Sequence, residues 1–474
     1  MSTEQTSLVV IGAGPGGYAA AFYAADLGMQ VTLVDPEENP GGVCLYRGCI
    51  PSKALLHVAK LIHESQESKN WGVTFSKPDI DLDKLRSFKQ DVVKKLTGGT
   101  GQLAKQRKIN HIHGKAVFKN NKTLEITKND GDTLELNFEN AIIATGSRPT
   151  IIQDLWIESP HLLDSSGALE LPDIPKKMLV IGGGYIGLEM GTVYSSLGTD
   201  ITVVEMLPSI LPGADKDLVR VLEKSLNDKF KSILTETKVV KLNETKSGIK
   251  ATLENKKGET SEETFDKVLM TIGRRPNSEN LGLENTNINV TDKGFIKVDG
   301  QRRTAEANIF AIGDVAGEPM LAHKASHEGH VAVEAAAGEK VVFEPAAIPA
   351  VVFTDPEVAW AGLTEAEAKG KDIKVEVMRF PWAASGRALT MDRTDGLTKL
   401  LIEPETERIL GIGLVGAGAG ELVSEGALAI EMAANATDLK LTIHPHPTLS
   451  ETVMESAEML FGTCTHIYRP KRKR

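Results

Sequence analysis

The chain carries one unit twice, and this duplication restricts its fold more than any other feature. Leu8-Val9-Val10-Ile11 is a short apolar, β-branched run that reads as a buried parallel strand. Gly12-Ala13-Gly14-Pro15-Gly16-Gly17 follows, and then a small-residue helix from Tyr18. The next strand, Val31 to Val34, ends in Asp35. The pattern returns as Met178 to Ile181, Gly182-Gly183-Gly184-Tyr185-Ile186-Gly187, and Ile201 to Val204 ending in Glu205. In both copies the acid lies 23 residues after the first glycine. In such a unit the first glycine (Gly12, Gly182) makes the tight turn. The second (Gly14, Gly184) lets the backbone approach a pyrophosphate, and the third (Gly17, Gly187) lets helix and strand pack closely. The helix N-terminus offers free N–H groups and a positive dipole end to the phosphate. The terminal acid is an acceptor for a ribose hydroxyl. Two units predict two bound dinucleotides. Glu205 is followed by Met206-Leu207-Pro208 and no arginine, so it repels a 2′-phosphate and selects NAD over NADP.

Each unit has a matching later segment. Ala141 to Pro149 reads as a strand ending in a turn at Gly146, and Val268 to Pro276 reads the same way around Gly273. The two glycines are 127 residues apart, so this too is an internal repeat. Ile309 to Ile312 is a further strand, ending in Gly313-Asp314. Asp314 could hold a cofactor hydroxyl, but taken alone it reads first as a plain turn acid.

The second informative stretch is Gly41-Gly42-Val43-Cys44-Leu45-Tyr46-Arg47-Gly48-Cys49-Ile50-Pro51-Ser52-Lys53. It holds two of the three cysteines. On a regular helix residues five apart are separated by about 7.5 Å, whereas a disulfide needs Cα atoms within about 4.4–6.8 Å. The segment must therefore be distorted to pair them, and Gly48 and Pro51 permit that. The residues by themselves leave two readings open: a redox pair, or two thiols packed as small hydrophobes.

Composition bounds the rest. A length of 474 residues suggests about three domains. The net charge of −10 argues against nucleic acid or anionic membrane as a partner. No apolar run reaches the ~18 residues of a membrane span. Three cysteines are too few for a secreted disulfide scaffold, which predicts a soluble, cytoplasmic protein whose cysteine pair is catalytic. His444-Pro445-His446-Pro447-Thr448-Leu449-Ser450-Glu451 is the third stretch with chemistry in it. A histidine titrating near neutrality can take a thiol proton, and an acid beside it can orient the ring.

Taken together, Gly-Gly-Val-Cys-Leu-x-x-Gly-Cys-Ile-Pro-Ser-Lys, the two glycine units and the Gly313-Asp314 turn resemble the flavin-dependent pyridine nucleotide–disulfide oxidoreductases. The resemblance implies an α/β fold, with two Rossmann-like dinucleotide-binding domains plus a C-terminal α+β dimerisation domain. The implied divisions are an FAD-binding domain at 1–149 and an NAD-binding domain at 150–276. A central domain at 277–347 completes the FAD site, and an interface domain at 348–474 pairs two subunits. FAD binds the first unit, with Gly12, Gly14, Gly17, Asp35, Gly42, Lys53, Ala116, Gly146, Asp314 and Ala322 as implied contacts. NAD binds the second, with Gly182, Gly184, Gly187, Glu189, Glu205, Val239 and Gly273. Cys44 and Cys49 become the redox disulfide, and Lys53 and Glu189 an ion pair near the flavin rather than solvated helix charges. His446 is the implied base, oriented by Glu451 and acting on the disulfide of the other subunit. His444 is a lesser neighbour, constrained by Pro445.

The redox stretch and Phe380-Pro381-Trp382-Ala383-Ala384-Ser385-Gly386-Arg387-Ala388 are similar to the dihydrolipoamide-oxidising branch of that family. The branch implies oxidation of protein-bound dihydrolipoamide with NAD⁺. Its partners are lipoyl domains and the acyltransferase core of 2-oxoacid dehydrogenase complexes, such as the pyruvate and 2-oxoglutarate complexes. The alternatives are a glutathione reductase-like enzyme using NAD(P)H and a non-enzymatic redox-sensing or scaffold flavoprotein. Elsewhere, Leu82, Leu85, Val92 and Leu96 recur at helical spacing and predict the packed face of an exposed helix. Three antiparallel strands are expected near 350–354, 398–402 and 410–415, with a helix from Glu421 to Ala433. Cys464 carries no assigned role, and the basic end from Arg469 reads as a frayed terminus.

Overall fold

The computed structural model describes residues 2–468; the expectation for the basic end, 469–474, lies outside the described residues. The first strand, Ser2–Ile11, runs between Val31–Asp35 and Thr133–Ile143, parallel to both. Leu8, Val9 and Val10 are fully buried there, as strands covered on both faces must be. The sheet extends through Asn110–His113 on one side and Ile309–Ala311 on the other. The chain beyond Pro276 thus returns to the first sheet and delivers the Gly313-Asp314 turn to it. The second unit repeats the design. Its parallel sheet runs in the order Ser232–Leu234, Asp200–Val204, Lys177–Ile181, Lys267–Met270, Leu162–Leu163. The two units join where Ser147–Pro149 pairs antiparallel with Arg274–Pro276, the segments that follow the two repeated turns.

The C-terminal region is a five-stranded antiparallel sheet, from Ala350–Val352 to Ile409–Gly416. It is backed by the helices Ala419–Glu431 and Glu451–Phe461. Two of its strands, Glu357–Gly362 and Glu376–Pro381, are additions to the three the sequence suggested. Phe380 and Trp382 belong to this core.

One other local expectation needs correction. In the helix Leu82–Gln106 the packed face is Leu85, Lys89, Val93, Thr97, Gly101 and Ala104, while Leu96 is exposed and Val92 only half-buried. Leu82 and Leu85 pack as expected, but further along the helix the face is chosen by close approach. A Cβ on Gly101 would strike the Asn39 side chain, and buried Lys89 places its amine on the Leu169 carbonyl at 2.7 Å. Asn110–Asn120 is one continuous strand. Ile112, Gly114, Ala116 and Phe118 alternate inward along it, but glycine and alanine weaken the hydrophobic signal of the period.

Candidate active site

The redox stretch folds as two helices broken at Gly48. Gly42–Arg47 ends there and Cys49–Glu67 begins there, with Gly48 at φ −143°, ψ −116°. Pro51 falls in the first turn of the second helix, where its missing N–H costs nothing. The break brings Cys44 against Cys49, and the Cys44 thiol hydrogen-bonds to the Cys49 sulfur. That bond is the main reason Cys49 is lowered to about 7. The Lys53 ammonium one helical turn on adds to it, against burial and the Glu189 charge. The same bond, with burial, pushes Cys44 upward.

Lys53 Nζ lies 2.8 Å from Glu189 Oε2 and over the Phe353 ring at 4.6 Å. Glu189, buried on the helix Tyr185–Leu197, also accepts from Ser52 Oγ at 3.1 Å and from the Phe353 N–H at 3.0 Å. One carboxylate thus ties the first unit, the second unit and the C-terminal region together behind the cysteines.

Both cysteines line a cavity of about 750 Å³. Gly12, Gly14, Gly17, Asp35, Gly42, Lys53, Ala116, Gly146, Glu189, Asp314 and Ala322 line it as well. Its glycines divide by role. A Cβ on Gly17 would lie 1.9 Å from the Gly12 carbonyl oxygen, so Gly17 is required for packing. A Cβ on Gly14 or Gly146 meets nothing within 4 Å, so those positions face open cavity. Gly42, at φ +56°, sits so close that a Cβ would be 2.5 Å from the Gly14 Cα. The cysteine segment is thereby pinned to the first glycine loop. Asp35 accepts from the Ala13 N–H (2.8 Å) and the Glu37 N–H (2.9 Å). Burial raises its pKa. The long cleft, the cradle a Cβ would fill, the acid at one end and the dithiol at the other fit an extended dinucleotide bearing a redox ring.

The second unit copies the first. Glu205 accepts from the Gly183 N–H at 2.7 Å and the Leu207 N–H at 2.8 Å, as Asp35 does in its loop. A Cβ on Gly182 or Gly187 would collide with backbone oxygens, while Gly184 faces open space. Gly273, at φ +112°, is likewise unobstructed. The Val239 side chain is buried in the core with Val204 and Leu253, so only its peptide edge remains to face a ligand.

His446 is not among the residues lining the cavity, and its ring is 71% exposed. Its Nδ1 lies 2.9 Å from Glu451 Oε1, and Glu451 Oε2 accepts from the Thr448 N–H at 2.8 Å. Burial opposes ionisation of Glu451, but these two bonds outweigh it and lower its pKa. His444 is tied off separately, by Glu425 at 2.6 Å and the Thr442 carbonyl.

Sequence reasoning gave no role to Ser147, Arg274 or Tyr185, which also line the cavity. Ser147 donates to Asp314, while Arg274 donates to Ser147 through Nε (2.7 Å) and Nη2 (2.7 Å). The only signal for this bridge was that Ser147 and Arg274 each follow a repeated glycine. Tyr185 opens the second unit's helix, and burial pushes it up to about 12.

Residues 6–329 match the pyridine nucleotide-disulphide oxidoreductase family model, and residues 348–457 match that family's dimerisation domain. Dihydrolipoyl dehydrogenase of Vibrio cholerae is 48% identical, covering 100% of both chains. That of Haemophilus influenzae is 48% identical, covering 100% of this chain and 99% of its own. Among solved structures, LpdA of Mycobacterium tuberculosis superposes with a TM-score of 0.88 at 27% identity, covering 96% of this chain and 99% of that one. The HOCl-induced flavoprotein disulfide reductase RclA of Escherichia coli gives 0.85 at 26%, covering 96% and 100%. The duplicated nucleotide fold, the dithiol in the cleft wall and these matches agree: the chain belongs to the pyridine nucleotide-disulphide oxidoreductase family, enzymes that work with FAD and NAD.

Proposed function

We propose that the chain is a dihydrolipoyl dehydrogenase, oxidising protein-bound dihydrolipoamide to lipoamide and reducing NAD⁺ to NADH. The observation that carries this reading is the Cys44–Cys49 pair in the cleft wall, with Cys49 held near neutrality by Cys44 and Lys53. Full-length similarity to dihydrolipoyl dehydrogenases supports the substrate. In the disulfide form, a substrate thiolate attacks Cys44 Sγ and the Cys44–Cys49 bond breaks, leaving Cys49 as thiolate. The second substrate sulfur then attacks the mixed disulfide, closes the lipoyl ring and frees Cys44. His446 takes the substrate proton through Nε2, with Nδ1 fixed by Glu451. Lys53 stabilises the departing Cys49 sulfur. Bound FAD supplies the two-electron relay between this dithiol and NAD⁺.

His446 sits on the C-terminal region, apart from its own chain's cleft, and the family's dimerisation domain covers that region. We therefore read the active unit as a homodimer in which His446 serves the partner subunit's cysteines. The domain divisions given above belong to the same reading. So do lipoyl domains and the acyltransferase core of a 2-oxoacid dehydrogenase complex as partners, and a cytoplasmic setting. Among the described residues no helix is long and apolar enough to cross a membrane.

The test is NADH formation from dihydrolipoamide with NAD⁺ and, in parallel, NADP⁺, for the native enzyme and Cys49→Ser. Rapid turnover with NAD⁺ alone, abolished in the variant, is expected. Substantial turnover by Cys49→Ser would sink the assignment.

A further inference from the structure

A fully buried carboxylate lies beneath the Asp314 turn, and nothing in the chemistry above uses it. Glu328, on the helix Ala322–Ala336, has 0% of its side chain exposed. Its Oε2 accepts the Gly313 N–H at 2.6 Å. Its Oε1 meets Arg302 Nη1 at 2.9 Å and Lys324 Nζ at 3.0 Å. Lys324, one helical turn earlier, also donates to the Gly317 carbonyl at 3.1 Å. The helix therefore grips the turn at both ends, by the N–H of residue 313 and the C=O of residue 317. Asp314 lies between the two grips, lines the cavity and receives the Ser147 hydroxyl.

Two further details indicate that this arrangement is built for fit. Gly313 is at φ +72°, and a Cβ there would approach the Ala325 Cβ to 3.0 Å, so the turn is pressed onto the helix. Arg302 holds a left-handed φ of +63°, which non-glycine residues seldom adopt, and its Nε is buried without a partner. One carboxylate faces two cations, so the cluster keeps its net positive charge out of water next to the cleft.

We propose that Glu328 is a positioning residue for the flavin site, fixing the Gly313-Asp314 turn so that Asp314 presents its carboxylate to the cofactor. The proposal rests on the first cleft being the FAD site. Glu328→Gln can keep one acceptor but leaves Arg302 and Lys324 uncompensated. Loss of a buried, charge-assisted hydrogen bond corresponds to roughly a 10- to 100-fold effect.

The experiment measures the rate of FAD release from purified holoenzyme, by recovery of free-flavin fluorescence, together with the flavin midpoint potential. The set is native, Glu328→Gln, Asp314→Asn and the double variant. Lys324→Met is included because it removes the Gly317 grip, together with the Lys324–Glu328 ion pair, while leaving the Glu328–Gly313 bond in place. Expected are roughly 10- to 100-fold faster release in Glu328→Gln, a smaller rise in Lys324→Met, and a double variant no faster than Asp314→Asn. Glu328 would then act through Asp314. If both Glu328→Gln and Lys324→Met release FAD at the native rate while only thermal stability falls, or if the two losses multiply in the double variant, the proposal is overturned. A native protein without flavin absorbance would instead defeat the assignment of the cleft to FAD.

Discussion

Lys53 and Glu189 meet at 2.8 Å across the joint between the two nucleotide units, one helical turn from Cys49. The two charges act on the Cys49 sulfur with opposite sign: Lys53 lowers its pKa and Glu189 raises it. Lys53→Met is therefore expected to raise the pH midpoint for alkylation of reduced Cys49 relative to the native protein, and Glu189→Gln to lower it. Iodoacetamide rates measured against pH report both. Shifts in the same direction would mean the pair acts through packing rather than charge.

The glycines of the first loop are expected to fail in different ways. A Cβ on Gly17 collides with the Gly12 carbonyl, whereas a Cβ on Gly14 projects into the open cleft. Gly17→Ala should yield little folded protein. Gly14→Ala should fold, with a native circular dichroism spectrum, but bind FAD about tenfold or more weakly. Equal FAD affinity in Gly14→Ala and native apoprotein would show that the phosphates lie elsewhere.

His446 and Glu451 are expected to matter only for thiol chemistry. His446→Ala should slow dihydrolipoamide turnover by about 10²- to 10⁴-fold. NADH-driven reduction of ferricyanide, which needs no thiol base, should be largely kept. Mixing His446→Ala with Cys49→Ser subunits should recover activity in heterodimers if the histidine serves the partner subunit. No recovery from co-expressed, doubly tagged dimers would place the base within its own chain.

Asp355 links three parts of the molecule through Lys229, Arg393 and His63. Burial opposes its ionisation, yet Lys229 and Arg393 prevail and hold it at about 2, below the ordinary 3.8. A carboxyl depressed in this way stabilises the fold fully above its unfolded pKa and loses that contribution as pH falls through its folded one. The contribution is about 2 kcal/mol, present above about pH 4 and lost toward pH 2. Asp355→Asn should accordingly lower the thermal midpoint at pH 7, and the gap to native should narrow between about pH 4 and pH 2. A gap independent of pH would assign the loss to packing alone.

Much of this could be read directly from the sequence. The two glycine units, their acids 23 residues on, the paired later turns and the Cys44–Cys49 segment are all local, short-range patterns. Backbone sterics and helix-terminus electrostatics dictate them wherever they occur. What the sequence could not supply were contacts between distant segments, which follow no period along the chain. Ser147 bonded to Asp314 and Arg274 joins residues 127 to 167 positions apart. Glu189 gathers Ser52 and Lys53 from the first unit and Phe353 from the C-terminal region, and buried Glu328 grips a turn that lies earlier in the chain. On Leu82–Gln106 the expectation holds for Leu82 and Leu85 but fails at Val92 and Leu96, where close approach at Gly101 and a buried Lys89 outweigh the apolar period. Local sequence determined the two glycine loops and the segment that pairs Cys44 with Cys49. Tertiary structure decided how those loops are held and how the Cys49 sulfur is tuned, because both depend on low-dielectric contacts that exist only once the chain has closed.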